Sequence, residues 1–263
     1  CSKYHIIMRL VILGSGTSCG VPQIGCDCVV CKSEAPHDKR LRSSVLVETG
    51  SMRVLIDCGP DFRQQILTRP TFKRIDAVLI THSHYDHVGG LDDLRPFSIF
   101  GDIDIYSDAL TAYGIKRAIP YCFEEHKYPG VPNITSKVIE PYKSFVLGDM
   151  NITPIRVMHG KLPILGYRIN NFGYITDMKT IPDTSLSYLE GIETLVVNAL
   201  RHNTYKDHPT HQTVEDAIEF SKRIGAKRTI LIHLSHYVGL HEVENNNLPN
   251  GVELAYDGMD LQI

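Results

Sequence analysis

The stretch Thr81-His82-Ser83-His84-Tyr85-Asp86-His87-Val88-Gly89-Gly90 decides how the rest of this chain is read. Three histidines and an aspartate fall within six residues, directly after the apolar run Ala77-Val78-Leu79-Ile80. Such side chains at a strand tip would repel one another or stay unsatisfied with nothing between them. A metal ion holds neutral imidazoles and a carboxylate together. His82 and His84 alternate along extended backbone, so their rings point to one side. Asp86 and His87 then enter a turn and face a neighbouring position. Gly89-Gly90 lets the backbone turn close to such a site.

The composition sets the frame. The chain has 263 residues, 43% of them hydrophobic, enough for a full-sized core, and is read as one domain over residues 1–263. Its formal net charge is −3 with acids and bases interspersed, which gives no electrostatic footing for nucleic acid as the main partner. No apolar run is long enough to span a membrane. Met8 precedes Arg9-Leu10-Val11-Ile12-Leu13, a first strand, so residues 1–7 read as upstream or added sequence.

There are 7 cysteines: Cys1, Cys19, Cys26, Cys28, Cys31, Cys58 and Cys122. An odd, unevenly spaced set is not a secreted disulfide framework, and the expected compartment is the reducing cytoplasm. Cys26-Asp27-Cys28-Val29-Val30-Cys31 offers three thiolates suited to a tetrahedral zinc. His236, three residues after His233, is the candidate fourth ligand. A site closed by four protein ligands would be structural, and would tie the N-terminal loop to the segment carrying His233.

Short apolar, β-branched runs recur at 9–13, 44–48, 52–57, 75–80, 103–106, 152–157, 164–169, 172–176, 194–199 and 228–233. Residues 44–57 read as a hairpin turning at Thr49-Gly50-Ser51. Helical patterns are expected over 61–68, 183–189 and 211–224, the last closed by Gly225. Hairpins mixed with strand–helix units predict a layered α/β fold. Residues 119–135 read as a surface loop, with a lid or subunit contact as the alternative.

The His-x-His-x-Asp-His motif resembles the signature of the metallo-β-lactamase superfamily. That resemblance implies an αββα sandwich, two mixed β-sheets flanked by helices, with a dinuclear site at one edge. It further implies ligands at three more strand ends, where this sequence has His159, Asp177 and His233. By the same resemblance His82, His84 and His159 hold one metal, Asp86, His87 and His233 the other, and Asp177 bridges them. Asp57 matches a position that orients a ligand histidine. Two divalent ions, zinc or manganese, are implied there, with a hydroxide held between them as nucleophile. One structural zinc is expected at the cysteines.

The cysteine loop narrows the resemblance. Gly14-x-Gly16-x-x-x-Gly20-Val21-Pro22 followed by Gly25-Cys26-x-Cys28-x-x-Cys31 is similar to the phosphoribosyl cyclic phosphodiesterase family of the carbon–phosphorus lyase pathway. Leu55-Ile56-Asp57-x-Gly59, His159-Gly160-Lys161-Leu162, Thr176-Asp177 and Ile232-His233-x-Ser235-His236 extend the likeness nearly end to end. It implies a hydrolase of small, cyclic phosphodiesters, working as a homodimer, with His211 assisting the leaving group from the start of the 211–224 helix. His202 and His208 are rivals for that role. The alternatives are an RNA-end nuclease of the tRNA 3′-processing type and a non-hydrolytic cofactor-biosynthesis protein on the same fold.

Overall fold

The computed structural model describes residues 7–205 and 207–263. The segment 1–7 read as upstream sequence therefore lies, apart from Ile7, outside the described residues. Two seven-stranded sheets face each other. In chain order the strands are β1 (Arg9–Gly14), β2 (Ser44–Glu48), β3 (Arg53–Ile56), β4 (Ala77–Leu79), β5 (Ile103–Ser107), β6 (Ile134–Val138), β7 (Phe145–Leu147), β8 (Met150–His159), β9 (Leu162–Ile169), β10 (Phe172–Ile175), β11 (Thr194–Asn198), β12 (Arg228–Ile232), β13 (Val252–Leu254) and β14 (Asp260–Gln262). The first sheet runs β14-β1-β2-β3-β4-β5-β6 and the second β13-β12-β11-β10-β9-β8-β7. Both mix antiparallel hairpins with parallel pairs, such as β3–β4 and β11–β12.

The central strands are apolar on both faces because both faces are covered. Leu10, Ile12, Val54, Ile56, Ala77 and Leu79 point between the sheets, where they meet Leu165, Tyr167, Tyr174, Val196 and Ile232. Their alternating neighbours Val11, Leu13, Leu55, Val78 and Ile80 point outward onto Phe62, Leu91, Leu94 and Ile115. On the far side Val197 and Leu231 pack under Val214, Ala217 and Phe220. Period-two alternation thus fills three apolar layers, and the result is an αββα sandwich.

The helices are α1 (Val29–Lys32), α2 (Phe62–Leu67), α3 (Tyr85–Val88), α4 (Ala109–Ala118), α5 (Asp183–Leu186), α6 (Val214–Ile224) and α7 (His241–Asn247). One expectation is corrected. The helix expected from residue 211 begins at Val214, because the Thr213 hydroxyl accepts from the Asp216 N–H while the Asp216 carboxylate accepts from the Thr213 N–H. His211 therefore sits in the preceding loop and does not open the helix. Residues 119–135 are strapped to the neighbouring 3-10 turns at 91–100: Arg95 donates to Asp92 and to the Gly130 carbonyl, and the Tyr121 hydroxyl donates to Asp92 at 2.8 Å.

Two contacts between the sheets hold the end of β4 where the histidine motif starts. The Leu165 N–H donates to the Thr81 carbonyl at 3.0 Å, and the buried Tyr167 hydroxyl donates to the Ile80 carbonyl at 2.7 Å. Behind them the backbones nearly touch. A Cβ on Gly59 would lie 2.1 Å from the Asp86 carbonyl oxygen, and one on Gly90 2.1 Å from that of Gly59. Only glycine fits either position. Tyr167→Phe leaves the Ile80 carbonyl buried and unpaired, so it is expected to lose about 1–3 kcal/mol of stability. A urea unfolding midpoint equal to that of the parent would show that this hydrogen bond does not hold the strand end.

Candidate metal centre

Three strands end in the same unusual way. Asp57 after β3, Asp177 after β10 and His233 after β12 all have left-handed backbone, with φ of 60°, 56° and 60°. For residues other than glycine this costs about 1–3 kcal/mol each and persists only where the surroundings enforce it. The kink carries each side chain across the tip of its strand toward one point between the sheets. The motif after β4 arrives at the same point, with His84 as the N-cap of the single-turn α3.

The carboxylate of Asp177 lies at the centre. Its Oδ2 is 3.4 Å from His87 Nε2, 3.5 Å from His211 Nε2 and 3.7 Å from His82 Nε2, and its Oδ1 is 3.0 Å from His233 Nδ1. His82 Nε2 is 3.0 Å from His84 Nδ1, and His87 Nε2 is 3.2 Å from Asp86 Oδ2. Three sets of ligand atoms lie within 4.8 Å of one another: His82, His84 and His159; Asp86, His87, Asp177 and His233; and His159, Asp177 and His211. The first two match the expected grouping around two ions, and Asp177 adjoins both.

Hydrogen bonds decide which ring nitrogens face inward. His87 Nδ1–H donates to Asp57 Oδ2 at 2.7 Å, leaving Nε2 buried without a hydrogen-bond partner. The Thr81 hydroxyl donates to the same Asp57, so its free lone pair accepts from His82 Nδ1–H at 3.0 Å. Asp57 thereby orients two rings, one directly and one through Thr81. His159 Nδ1–H donates to the carbonyls of Asp177 and Thr210 at 2.8 and 3.0 Å. The sequence reading missed Thr81, and also Thr17 and Ser43, whose hydroxyls lie 3.1 and 3.3 Å from the ring nitrogens of His233. Hydroxyls are too common along a chain to be singled out without coordinates.

The electrostatics suit cations. Burial, then the neighbouring His87, holds His82 well below the ordinary histidine value, and burial and His159 lower His84. Burial also opposes ionisation of Asp177, but His233 and His87 outweigh it and keep the carboxyl well below its usual range. Burial likewise opposes charge on His87, yet Asp177, Asp57 and Asp86 together hold its pKa well above normal. Without a metal, a proton on His87 partly fills the place of one. The partnerless Nε2, the converging lone pairs and the two ionised carboxylates fit divalent cations.

A second cluster lies nearby. His236 Nδ1 is 3.6 Å from Cys26 Sγ and 3.4 Å from Cys28 Sγ, and Cys31 completes the group. Zinc bonds of about 2.3 Å to sulfur and about 2.05 Å to nitrogen at a tetrahedral angle require a separation of roughly 3.5 Å. Burial raises the Cys28 thiol, but the Cys31 N–H, Cys26 and His236 outweigh it and bring it down to about 6. The donor set fits zinc, and its place joins the cysteine loop to the segment after β12.

Of the rival histidines, His202 is engaged elsewhere, with Nδ1 2.8 Å from Glu215 and Nε2 3.2 Å from Glu244. His211 stacks on His233 with ring centroids 5.0 Å apart and meets His159 edge-on at 4.7 Å. His208 lies behind it, its Nδ1 3.1 Å from His211 Nδ1. Cys19 is exposed. Among the described residues, no helix is long and apolar enough to cross a membrane.

Comparison with known proteins agrees with this architecture. Residues 52–234 match the family model described as Beta-lactamase superfamily domain. The crystal structure of a diphosphatase from the PhnP family superposes with a TM-score of 0.89 at 40% identity, covering 98% of each chain. Zinc-bound PqqB from Methylobacterium extorquens shares the fold, with a TM-score of 0.79 at 20% identity over 97% of this chain and 100% of that one. An octanoyltransferase of Porphyromonas gingivalis is 44% identical over 97% of this chain, which spans 52% of that protein's length.

Metal binding has a proton signature. His82 and His84 are neutral near pH 7, whereas His87 is protonated and must release its Nε2 proton to a cation. Calorimetric titration with Zn²⁺ of metal-stripped Cys28→Ser, whose cysteine cluster no longer competes for zinc, in buffers of different ionisation enthalpy is expected to record release of the proton that His87 carries at pH 7. Because the His87 pKa is raised, the release should fade only as the pH climbs through that raised value. Heats independent of the buffer at pH 7 would contradict the charge assigned to His87.

Proposed function

The chain belongs to the beta-lactamase superfamily, and from that premise we propose that it is a metal-dependent hydrolase opening small phosphodiesters, cyclic sugar phosphates foremost. One observation carries the reading most: a buried imidazole nitrogen, His211 Nε2, without a hydrogen-bond partner and 3.5 Å from the Asp177 carboxylate, overhangs the candidate metal centre. A proton donor beside a hydrolytic centre is what an ester with a poor leaving group needs. Resemblance to a PhnP-family diphosphatase supports phosphoryl chemistry for this chain. The octanoyltransferase is a protein about twice as long as this chain.

His82, His84 and His159 would hold one divalent ion, and Asp86, His87 and His233 the other, with Asp177 shared. Ions bound there would polarise a phosphoryl oxygen and bring a water toward deprotonation near neutral pH. The chain's own residues do the rest. Asp57 and Thr81 keep His87 and His82 turned inward. The buried Asp177 carboxylate orients the attacking water opposite the leaving oxygen. As the P–O bond breaks, protonated His211 gives its Nε2 proton to the departing alkoxide. Water thus supplies the oxygen added to phosphorus and His211 the proton on the product alcohol; the proton lost from the water restores the histidine.

Turnover of bis(p-nitrophenyl) phosphate, a ribose 1,2-cyclic phosphate and a linear diphosphate ester, with and without Mn²⁺, tests the reading. Metal-dependent opening of the cyclic ester is expected, and Asp177→Ala should lower it by at least about 10³-fold. Turnover of the diphosphate alone would move the substrate class to phosphoric anhydrides. Silence on all three by metal-loaded protein, or full activity in Asp177→Ala, would overturn the proposal.

A further inference from the structure

Hydrogen-bond bookkeeping behind His211 fixes more than its position. The backbone N–H of Thr210 donates to His208 Nδ1 at 3.4 Å, so that nitrogen carries a lone pair. The same atom faces His211 Nδ1 at 3.1 Å. Two lone pairs cannot face each other at that distance, so His211 Nδ1 holds the hydrogen. The Thr210 hydroxyl lies 2.9 Å from His211 Nδ1, placed to accept a share of its hydrogen, and 3.2 Å from His208 Nδ1. Burial, then the charge of His211, keeps His208 neutral with a pKa near 4, which preserves the acceptor. The Thr210 carbonyl meanwhile accepts from His159 Nδ1–H. An ion pair between Lys179 and Asp207 at 2.7 Å pins the segment just before His208.

We propose that His208 and Thr210 are positioning residues that fix His211 with Nδ1–H turned away and Nε2 turned toward the metal centre. This rests on the reading of His211 as the proton donor. In a neutral ring free to flip or exchange tautomers, either nitrogen could face the substrate. With Nδ1 committed to its neighbours, only Nε2 gains and loses the working proton. The requirement is for an acceptor behind the ring, not for a charge.

The test compares two leaving groups on one preparation: the alkoxide of a ribose 1,2-cyclic phosphate, which needs a proton, and the p-nitrophenolate of bis(p-nitrophenyl) phosphate, which does not. Taking the ratio of the two kcat/KM values cancels any loss of folded enzyme. His208→Ala is expected to slow the alkoxide substrate about 10–100-fold and the p-nitrophenyl substrate by less than about threefold. His208→Asn should restore most of the ratio, because its amide oxygen takes the place of Nδ1. Thr210→Val, which keeps the carbonyl and the shape, should shift the ratio in the same direction as His208→Ala. Nitrogen NMR of histidine-labelled, zinc-loaded protein, taken at a pH where the His211 ring is neutral, should show its Nδ1–H form in the parent and a mixture of forms in His208→Ala.

Equal losses on both substrates, no rescue by asparagine, or an unchanged His211 signal would overturn the positioning role while leaving His211 as donor. If His211→Ala itself slows both substrates equally, the donor reading falls, and the positioning role with it.

Discussion

A buried carboxylate sets the terms for this molecule. Asp177 is almost wholly removed from water, and so are Asp57, His82, His87 and His233 around it. Desolvating charges and lone pairs in such numbers is costly unless something compensates. In the protein alone, compensation comes from the proton on His87 and from donors such as Thr81. Divalent ions would compensate far better. The left-handed backbone at Asp57, Asp177 and His233 is a further cost accepted at the same place. A fold that stores strain and desolvation at one edge of its sheets has to recover both elsewhere, and the three apolar layers between and outside the sheets are where it does so.

The sheets serve the site through their ends. β3, β4, β10 and β12 belong to two different sheets, yet their carboxyl ends converge. The hydrogen bonds from Leu165 and Tyr167 to the end of β4 make that convergence a matter of fixed register and not only of packing. The cysteine cluster acts in the same direction. His236 follows His233 by three residues, so gathering Cys26, Cys28 and Cys31 around it anchors the segment that carries His233. Thr17, in the loop ahead of the cysteines, reaches back to the ring of His233.

Much of this was legible in the sequence. The central strands announce themselves because both faces are apolar, so Leu10–Leu13 and Val54–Ile56 read as strands without help. The edge strands β6, β7, β13 and β14 did not. Much of β6 and β14 lies exposed, and the apolar residues of β7 and β13 span only three positions each, too few to stand out as strands. The start of α6 lies three residues later than residue 211: the apolar face itself begins at Val214, and the capping box at Thr213 and Asp216 is the local signal that sets the boundary. The first shell of histidines and aspartates was visible because those residue types are rare in such clusters. The hydroxyls and carbonyls that orient them, at Thr17, Ser43, Thr81 and Thr210, were not, since their partners lie far off in sequence and only the folded chain brings them together.

The claim on which the rest depends is that two separate clusters hold metal, one of them through Asp177. Metal analysis after saturation with Zn²⁺ and desalting addresses it directly, with Asp177→Ala and Cys28→Ser measured beside the parent. The expected result is about three ions per chain in the parent, about one in Asp177→Ala and about two in Cys28→Ser. A parent holding a single ion, or an Asp177→Ala variant that keeps them all, would contradict it.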